Sequence, residues 1–467
     1  MFVRAIELCR YSHVPSAPLA SAGWFGGVLS GLVIQEVIML KAGKLFAFVV
    51  AATIIVLAFA PRTPAQTPDV VIQWNQTLQT LFGGTGPGIH LRALPMMHIA
   101  MFDAINSIEE VYTPYLGPAK SSRGASAEAA AATAARDVLT AIYPAQQAMF
   151  DSALATQLAG MPRGLVQQGQ AVGHAIAAAV LTWRQNDGWP PTQAAITTPD
   201  PNYVLPTFPG LWQPTPSANS LATFTFYPNV VPFAMLTSTQ FLPPPPPTLT
   251  SGRYAADFNE VKLLGSATSA ARTPDETLWA QVHAGVNTQI GFFHVWNRVA
   301  ADVAQREGLS LVDTARTFVL LTVGLHDGLQ TSFTSKFAYG LWRPVTAIRR
   351  AAEDQNAATD ADPVWTPLLG TPPYPAYAGN AACLSAASAR ALQIAFGRDD
   401  IPFTVVYPRT MGLPTETREY AGFSDLAQQE ARSRIHGGIH FQFDSDASQT
   451  FCAKAPEFTA EHFMRRR

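Results

Sequence analysis

Apolar residues spaced three and four positions apart recur along most of this chain, which favours a fold built from amphipathic helices. The stretch DVVIQWNQTLQTLF, which starts at Asp69, has this spacing, and IHLRALPMMHIAMFDAINSI repeats it after the break GGTGPG. Such spacing places apolar side chains on one face of a helix, whereas a half-buried strand would alternate. Only IPFTVVYP has strand character, and one short strand does not form a sheet. The sequence therefore predicts an all-α protein.

A segment rich in Pro, Thr and Ser at 189–253 interrupts the helical pattern. Proline fixes φ and removes a backbone donor, so this segment is expected to be extended and loop-like. We predict an N-terminal helical region at 67–188, a Pro-rich loop or linker at 189–253, and a helical domain at 254–467. Within that domain the strongest predicted helices lie at 274–288, 294–306, 309–334, 337–353, 380–396, 417–436 and 439–464.

The first 66 residues are typical of a targeting segment. Lys41 and Lys44 precede an apolar run at 45–60, and the small-residue exit TPAQ follows. This order is that of a secretory signal, and the run is short for a membrane span of about 20 residues. We predict a signal peptide at 39–66, an upstream extension at 1–38, export to the periplasm or the medium, and no stable membrane span after cleavage. An uncleaved anchor is the alternative.

Net charge limits the possible partners. The formal net charge is −2, and charged residues make up 14% of the chain. There is no basic stripe and no finger-like Cys/His spacing, which excludes common nucleic-acid modules. Any affinity for anions must come from a few well-placed cations. Two cysteines remain after the predicted cleavage, Cys383 and Cys452, and export makes a disulfide between them the expected state. Two buried free thiols are the alternative.

The segment KFAYGLWRP places two cations seven residues apart, Lys336 and Arg343. On one α-helix this spacing directs both side chains to nearly the same face, so they can converge on one anion. A proline directly after Arg343 would kink such a helix. A solvated cationic face is the alternative interpretation.

The segment SRIHGGIHF contains Arg434 and His440, with Gly437 and Gly438 between them. A glycine pair permits a sharp corner, so one helix is expected to end near His436 and another to begin near Ile439. Such a corner would bring Arg434 and His440 together and direct free N–H groups towards an anion. The alternative is a structural corner with a core histidine.

Taken together, these segments resemble the superfamily of vanadium-dependent haloperoxidases, bacterial acid phosphatases and type 2 phosphatidic acid phosphatases. Its signature is K-x6-R-P, P-S-G-H and S-R-x5-H. Lys336 and Arg343 match the first block, and Arg434 and His440 match the third. Wider text such as HIAMFDAIN, DFNEVKLLGSATSAART and HDGLQTSFTSKFAYGLWRPVTAIR is similar to the haloperoxidase branch, from about Asp69 to the C-terminus. The resemblance implies a haloperoxidase-like helical bundle.

The resemblance also implies roles for the matching residues. Lys336, Arg343 and Arg434 would hold the oxygens of a vanadate cofactor, or of phosphate as an alternative occupant. His440 would be the metal ligand, or the nucleophile towards a phosphate ester. Gly379 would donate a backbone N–H to the oxyanion. Guanidinium groups suit tetrahedral oxyanions, and a neutral imidazole is both a ligand and a nucleophile.

The middle block departs from the family pattern. The chain has Tyr377-Ala378-Gly379-Asn380 where P-S-G-H is expected, so Asn380 occupies the position of the acid-base histidine. Asparagine cannot titrate, and loss of a proton-transfer group typically lowers the rate by roughly 10²–10⁴. His436 and His326 are candidates to replace it.

Three functions follow from this interpretation. The first is a vanadate-dependent haloperoxidase-like oxidoreductase that uses hydrogen peroxide with a halide or small organic substrate. The second is a phosphatase that uses the same pocket, and the third is a non-catalytic oxyanion-binding relative. His98 and Asp103 lie on an apolar helix and are expected to be core groups. Asp327 is expected either to orient a site cation or to be a buried structural carboxylate. The pair His436 and His440 has no third ligand, so zinc is not expected.

Overall fold

The structure is a computed structural model that describes residues 68–81, 87–117, 123–289, 291–409 and 412–467. The predicted extension at 1–38 and the predicted signal at 39–66 lie outside the described residues. The helices of the first part are α1 (Val70–Gln79), α2 (Pro87–Glu109), α3 (Ala127–Ile142), α4 (Gln147–Leu158), α5 (Arg163–Arg184) and α6 (Gln193–Thr197), with a 3-10 turn at Pro144–Gln146.

Helices also dominate the second part of the chain. They are α7 (Gly252–Leu264), α8 (Pro274–Gln289), α9 (Phe292–Glu307), α10 (Leu311–Tyr339), α11 (Pro344–Arg349), α12 (Asn380–Phe396), α13 (Phe423–His436), α14 (Gln442–Cys452) and α15 (Lys454–His462), with 3-10 turns at Tyr227–Asn229 and Ala351–Glu353. The predicted all-α class is confirmed. Among the described residues, no helix combines the length and the apolar character needed to cross a membrane.

One hairpin departs from the predicted helices. Strand β1 (Phe403–Tyr407) pairs antiparallel with β2 (Glu416–Tyr420), with Phe403 opposite Tyr420. The segment that begins β2 was predicted to start a helix at 417, and that prediction is wrong. The segment ETREY has only a weak local preference for helix or strand, and backbone pairing with β1 decides its conformation. The two strands lie on the outside of the helices and do not change the fold class.

Helix α10 is the central helix of the fold. It begins at its N-cap Ser310, whose hydroxyl accepts a hydrogen bond from the N–H of Asp313 at 3.3 Å. Residues 317–336 are buried on every face, because α2, α12 and α15 pack around this helix. A helix enclosed in this way positions its polar residues rigidly, and Lys336 lies in its last turn.

Small residues let the helices of the first part approach closely. A Cβ added at Gly169 would lie 2.6 Å from the carbonyl oxygen of Ser126, and one at Gly173 would lie 2.5 Å from that of Ala130. Both glycines are on α5, and both carbonyls belong to the start of the alanine-rich α3. This contact explains why α3 uses alanine at its buried positions, since larger side chains would separate the two helices.

The Pro-rich segment packs on α10. The carboxylate of Asp327, which is fully buried, accepts hydrogen bonds from the N–H groups of Phe233, Ala234 and Met235 at 2.7–2.9 Å. Asp327 is therefore a structural carboxylate that holds this segment, and it does not orient a site cation. The described residues form one compact unit. The boundaries at 188/189 and 253/254 stay predictions.

The expected disulfide is present. Cys383 on α12 is bonded to Cys452 at the end of α14, with their Cα atoms 5.4 Å apart. Both residues are buried, at 0% and 1% exposure. The bond links two of the helices that surround the predicted site, because His440 lies just before α14 and Asn380 begins α12.

Candidate oxyanion site

Lys336 and Arg343 do not share a helix, which corrects the helical-face prediction. Helix α10 ends at Gly340, which has a left-handed φ of 59°, and its N–H donates to the carbonyl of Lys336 at 2.8 Å. Arg343 is extended, with φ −84° and ψ 157°, and Pro344 is the first residue of α11. Proline disfavours a helical conformation at the residue before it and suits the first helical position. The turn between the two helices, rather than helical periodicity, sets the relative positions of the two cations.

Lys336 is fully buried beneath the loop that precedes α12. Its Nζ donates to the carbonyl oxygens of Pro375 at 3.0 Å and Ala376 at 2.7 Å. Burial first, and then the charge of Arg343, lower the pKa of Lys336 well below its ordinary value. An ammonium group has three donors, so one remains after these two bonds. A nearby anion would accept that donor and stabilise the charged form.

Arg343 is also fully buried, and its guanidinium group is only partly satisfied. Its Nε donates to the carbonyl of Tyr374 at 2.8 Å, and its Nη1 donates to the carbonyl of Ile439 at 2.8 Å. Nη2 is buried and has no hydrogen-bond partner in the part of the chain that the structure describes. Burial lowers the pKa of Arg343 to about 10, so the group remains charged at neutral pH. The free Nη2 is an unused donor of the kind that oxyanions accept.

The corner after α13 brings Arg434 and His440 together, as predicted. Helix α13 ends at His436, and Gly438 follows with a φ of 76°. A Cβ at Gly438 would lie 2.3 Å from the carbonyl oxygen of Gly265, so close backbone packing also requires glycine there. The next helix begins at Gln442, three residues later than expected, because residues 437–441 form the corner itself.

Arg434 is 6% exposed, and neither its buried Nε nor its buried Nη1 has a hydrogen-bond partner among the residues described. Its guanidinium carbon lies 5.8 Å from the ring centre of Phe292. Burial lowers the pKa of Arg434 to about 10, which keeps the group charged. Within the described part of the chain, neither Lys336, Arg343 nor Arg434 forms an ion pair with a carboxylate. A buried cationic cluster of this kind requires a counter-anion, since unpaired buried charges are strongly unfavourable.

His440 lies between a cation and a carboxylate. Its Nε2 is 3.0 Å from Nη1 of Arg343, and its Nδ1 is 2.9 Å from Oδ2 of Asp444. Arginine can only donate, so Nε2 must present its lone pair and Nδ1 must carry the proton that Asp444 accepts. Burial and the charges of Arg343, Lys336 and Arg434 lower the pKa of His440 well below its ordinary value. The imidazole is therefore neutral at neutral pH.

Asp444 was not singled out from the sequence. It is fully buried on α14, and its Oδ2 also accepts a hydrogen bond from the N–H of Phe441 at 3.1 Å. The four-residue spacing from His440 was visible in the segment HFQFD. That spacing is common on helices, however, and His440 lies before α14 rather than within it.

The degenerate middle block forms the start of α12. The N-cap is Gly379, which has no side chain to satisfy the first N–H groups of the helix, and Asn380 is the first helical residue. The N–H of Gly379 donates to the carbonyl of Asp444 at 3.3 Å. The predicted role of Gly379 as an oxyanion donor stays a prediction. The N-terminus of α12 borders the pocket through Asn380 and Ala381. The free N–H groups of a helix N-terminus are a favourable place for an anion.

Asn380 is held by α10. The Oγ of Ser332 lies 2.7 Å from Oδ1 of Asn380 and 2.9 Å from the carbonyl oxygen of Ala378. Ser332 thereby fixes the amide of Asn380 at the position where the resemblance places an acid-base histidine. The side chain at that position therefore cannot titrate.

The other histidines lie elsewhere. His436 directs its Nε2 towards Oε1 of Glu276 at 3.5 Å. His326 is fully buried, and its Nδ1 lies 3.1 Å from Oδ1 of Asp327. His98 is also fully buried, 4.9 Å from the ring of Phe318. The residues that border the pocket include none of these three, and the replacement of the missing group by His436 or His326 stays a prediction.

A cavity of about 200 Å³ opens onto the site. Arg434, His440 and Asn380 form its polar end. Aromatic and aliphatic side chains form most of the remaining wall. The carboxylate of Asp103 lies outside this cavity and accepts hydrogen bonds from the N–H groups of Tyr115 and Leu116, as expected for a core group.

Known proteins are similar to this chain in sequence and in structure. The family model described as the VCPO second helical-bundle domain matches residues 316–467. The vanadium chloroperoxidase of Curvularia inaequalis is 24% identical over 483 residues, which span 81% of this chain and 78% of that protein.

Solved structures give the same fold. A bacterial vanadium-dependent iodoperoxidase superposes with a TM-score of 0.69 at 20% identity, over 85% of this chain and 96% of that one. The holo form of a bacterial vanadium-dependent chloroperoxidase superposes with a TM-score of 0.64 at 16% identity, over 86% of this chain and 98% of that one. The chain therefore has the fold of these vanadium-dependent peroxidases, and its C-terminal third matches the VCPO second helical-bundle domain.

Proposed function

We propose that this protein is a vanadate-dependent, haloperoxidase-like oxidoreductase that oxidises halide with hydrogen peroxide. The observation that carries the proposal is the buried cationic cluster beside a neutral histidine. Among the described residues, three guanidinium nitrogens have no hydrogen-bond partner: Nη2 of Arg343 and both Nε and Nη1 of Arg434. In the fold of this superfamily, such a cluster fits a tetrahedral oxyanion that accepts several charge-assisted hydrogen bonds.

Each residue has a role that its contacts support. Lys336, Arg343 and Arg434 would hold the oxygens of vanadate and neutralise its negative charge. His440 would be the ligand through Nε2, since the lone pair of that atom faces the cations. When bound, vanadate supplies Lewis-acid activation of peroxide. Asp444 holds the imidazole in the orientation and tautomer that leave Nε2 unprotonated.

Proton transfer is the weak step of this site. Asn380 cannot titrate, and the lowered pKa of His440 leaves that imidazole without a proton to donate at neutral pH. Protons must then come from water, which is a poor substitute for a positioned general acid. Loss of such a group lowers rates by roughly 10²–10⁴, so we expect slow turnover with intact cofactor affinity.

The decisive experiment is a titration of the protein with orthovanadate, followed by bromide, iodide and phosphate-ester assays on the same preparation. Arg434→Ala removes two unpartnered donors without leaving a protein group unpaired. We expect its vanadate affinity to fall by at least about tenfold, since a charge-assisted hydrogen bond contributes roughly 1.5–3 kcal/mol. Lys336→Ala should also lower vanadate affinity, but it leaves the carbonyls of Pro375 and Ala376 without the donor that Lys336 provides.

Arg432→Ala is the matched control. Arg432 lies two residues before Arg434 on α13, is partly exposed, and pairs with Glu260 at 2.9 Å. Its removal should leave vanadate affinity unchanged. Equal vanadate affinity in the wild type, Arg434→Ala and Lys336→Ala would refute the oxyanion assignment. Phosphate-ester hydrolysis without halide oxidation would identify a phosphatase, and binding without either activity would identify a non-catalytic relative.

We also infer that the protein is exported. The inference is supported by the charged and apolar segment at 39–66 and by the disulfide between Cys383 and Cys452, a bond that persists in oxidising compartments. Mass spectrometry of the N-terminus of protein recovered outside the cytoplasm should find cleavage near residue 66. An intact N-terminus would refute cleavage at this signal.

A further inference from the structure

The cavity above the oxyanion site has a wall of packed aromatic rings. Phe224 and Phe333 stack with their ring centres 5.2 Å apart and an interplanar angle of 26°. Tyr374 meets Phe333 edge to face, with ring centres 5.4 Å apart. All three residues border the cavity. Their mutual packing holds the rings in place, so they form a preorganised surface for another flat apolar group.

The cavity is larger than a halide ion requires. Its volume is about 200 Å³, and Leu91, Leu329 and Leu384 add aliphatic surface to the aromatic wall. An apolar cavity of roughly 150 Å³ holds benzene in a protein interior, so this cavity is large enough for one substituted aromatic ring. A hydrated halide would gain little from the Phe and Leu side chains of these walls, since they offer no hydrogen-bond donors.

The polar end of the cavity is the reacting end of the site. Arg434 and His440 border the same cavity as Phe224 and Phe333, so a ring bound in this cavity shares it with the oxyanion-binding groups. Asn380 lies at this end too. Ser332 contacts one amide atom of Asn380, and the second amide atom is available to a hydroxyl or carbonyl on the ring.

We propose that the cavity binds the organic substrate of the reaction, a single electron-rich aromatic ring of the phenol type, and that halogen is transferred to this bound ring. The proposal rests on the proposed function. In the balanced reaction the ring, one halide, one hydrogen peroxide and one proton give the halogenated ring and two waters. The halide is oxidised by two electrons, peroxide is reduced, a C–H bond is replaced by a carbon–halogen bond, and the ring proton passes to water.

In this account Asn380 is a substrate-binding residue. An amide recognises a phenolic oxygen without exchanging protons with it, whereas a histidine at the same position would compete for the proton of the phenol. The departure from the family pattern therefore has a physical consequence besides slow proton transfer: it makes the polar end of the cavity suitable for a hydroxylated ring.

Binding of 4-fluorophenol, followed by ¹⁹F NMR without peroxide or halide, tests this proposal apart from turnover. Leu91→Trp fills the cavity from α2, and Phe224→Ala removes one ring from a partly exposed position. We expect each variant to bind 4-fluorophenol at least about tenfold more weakly, because the first fills the space that the ligand ring needs and the second removes a ring that it would contact. Vanadate affinity should stay the same in both variants.

Leu263→Trp is the control, since Leu263 on α7 is 60% exposed and lies outside the cavity. A fluorinated naphthol should bind more weakly than 4-fluorophenol, because the cavity accepts one ring. If the protein binds vanadate but shows no saturable binding of 4-fluorophenol, this proposal is overturned and the proposed function stays intact. Equal binding of 4-fluorophenol by the wild type, Leu91→Trp and Phe224→Ala would have the same meaning. Ring binding without any vanadate affinity would refute both.

Discussion

The Nδ1 atom of His440 lies 2.9 Å from Oδ2 of Asp444, and this contact sets the tautomer of the histidine together with Arg343 on the opposite ring nitrogen. Metal-ligating histidines commonly rely on such a partner for their orientation. The contact joins the corner before α14 to the first turn of that helix. It therefore connects the geometry of the corner to the chemistry of the site.

Two substitutions at Asp444 separate its hydrogen bond from its charge. Asp444→Asn keeps an acceptor for the Nδ1–H of His440, whereas Asp444→Ala removes it, and both remove the negative charge. We expect vanadate to bind Asp444→Ala about tenfold more weakly than Asp444→Asn, in line with the roughly 10–100-fold effect of such partners. Equilibrium titration measures the difference. The control is Asp446→Ala, at an exposed position two residues later, and its vanadate affinity should match that of the wild type. Identical vanadate affinities of Asp444→Ala and Asp444→Asn would contradict the orienting role of Asp444.

Asn380→His should restore a titratable group at the polar end of the cavity. The new imidazole has an ordinary pKa near 6.5, which suits proton transfer near neutral pH. We predict that halide oxidation increases by at least about tenfold, with little change in vanadate affinity. Steady-state rates of bromide oxidation between mildly acidic and neutral pH measure this gain. Asn380→Gln, which keeps an amide, is the control, and a slower Asn380→His variant would show that another group already supplies the proton.

The disulfide between Cys383 and Cys452 should contribute measurably to stability. It links residues separated by 69 positions, and removal of a native disulfide typically costs about 2–5 kcal/mol. We expect the double variant Cys383→Ala/Cys452→Ala to unfold at a lower temperature than the wild type. Addition of reductant should lower the unfolding temperature of the wild type only. Alkylation of both thiols in unreduced protein, detected by mass spectrometry, would disprove the bond.

Glu430 should make stability depend on pH. It is fully buried, its Oε2 accepts a hydrogen bond from Nε1 of Trp296 at 3.0 Å, and it also contacts the hydroxyl of Ser385. Burial raises the pKa of Glu430 from 4.5 to about 8. The folded protein therefore keeps a proton that the unfolded chain releases above about pH 4.5. This contribution to stability is complete below that pH and is lost as the pH rises to about 8.

Glu430→Gln stays neutral at every pH, so it should gain stability over the wild type at pH 8 by up to a few kcal/mol. The gain should be much smaller at pH 5, where the wild-type carboxyl is protonated in the folded state. Thermal unfolding of both proteins at the two pH values measures this difference. The same shift at both pH values would mean that the carboxyl of Glu430 ionises normally.

Local sequence patterns predicted much of this protein. Helical periodicity identified the all-α class, because the spacing of apolar residues depends only on neighbours along one helix. The glycine pair at 437–438 predicted the corner that joins Arg434 to His440, since a positive φ is a local property of glycine. The resemblance to the superfamily signature singled out Lys336, Arg343, Arg434 and His440, and their roles as ligands stay predictions.

Contacts between distant segments decided the rest. Lys336 and Arg343 converge through the turn at Gly340 and the carbonyls of residues 374–376, which no helical spacing could indicate. Strand β2 exists because β1 lies beside it. Asp444 becomes the partner of His440 only when the corner folds back, and the aromatic cavity forms only where α2, α10 and the Pro-rich segment meet α12. Hydrogen bonds and packing of this kind depend on distances in space, and the order of residues along the chain does not contain those distances.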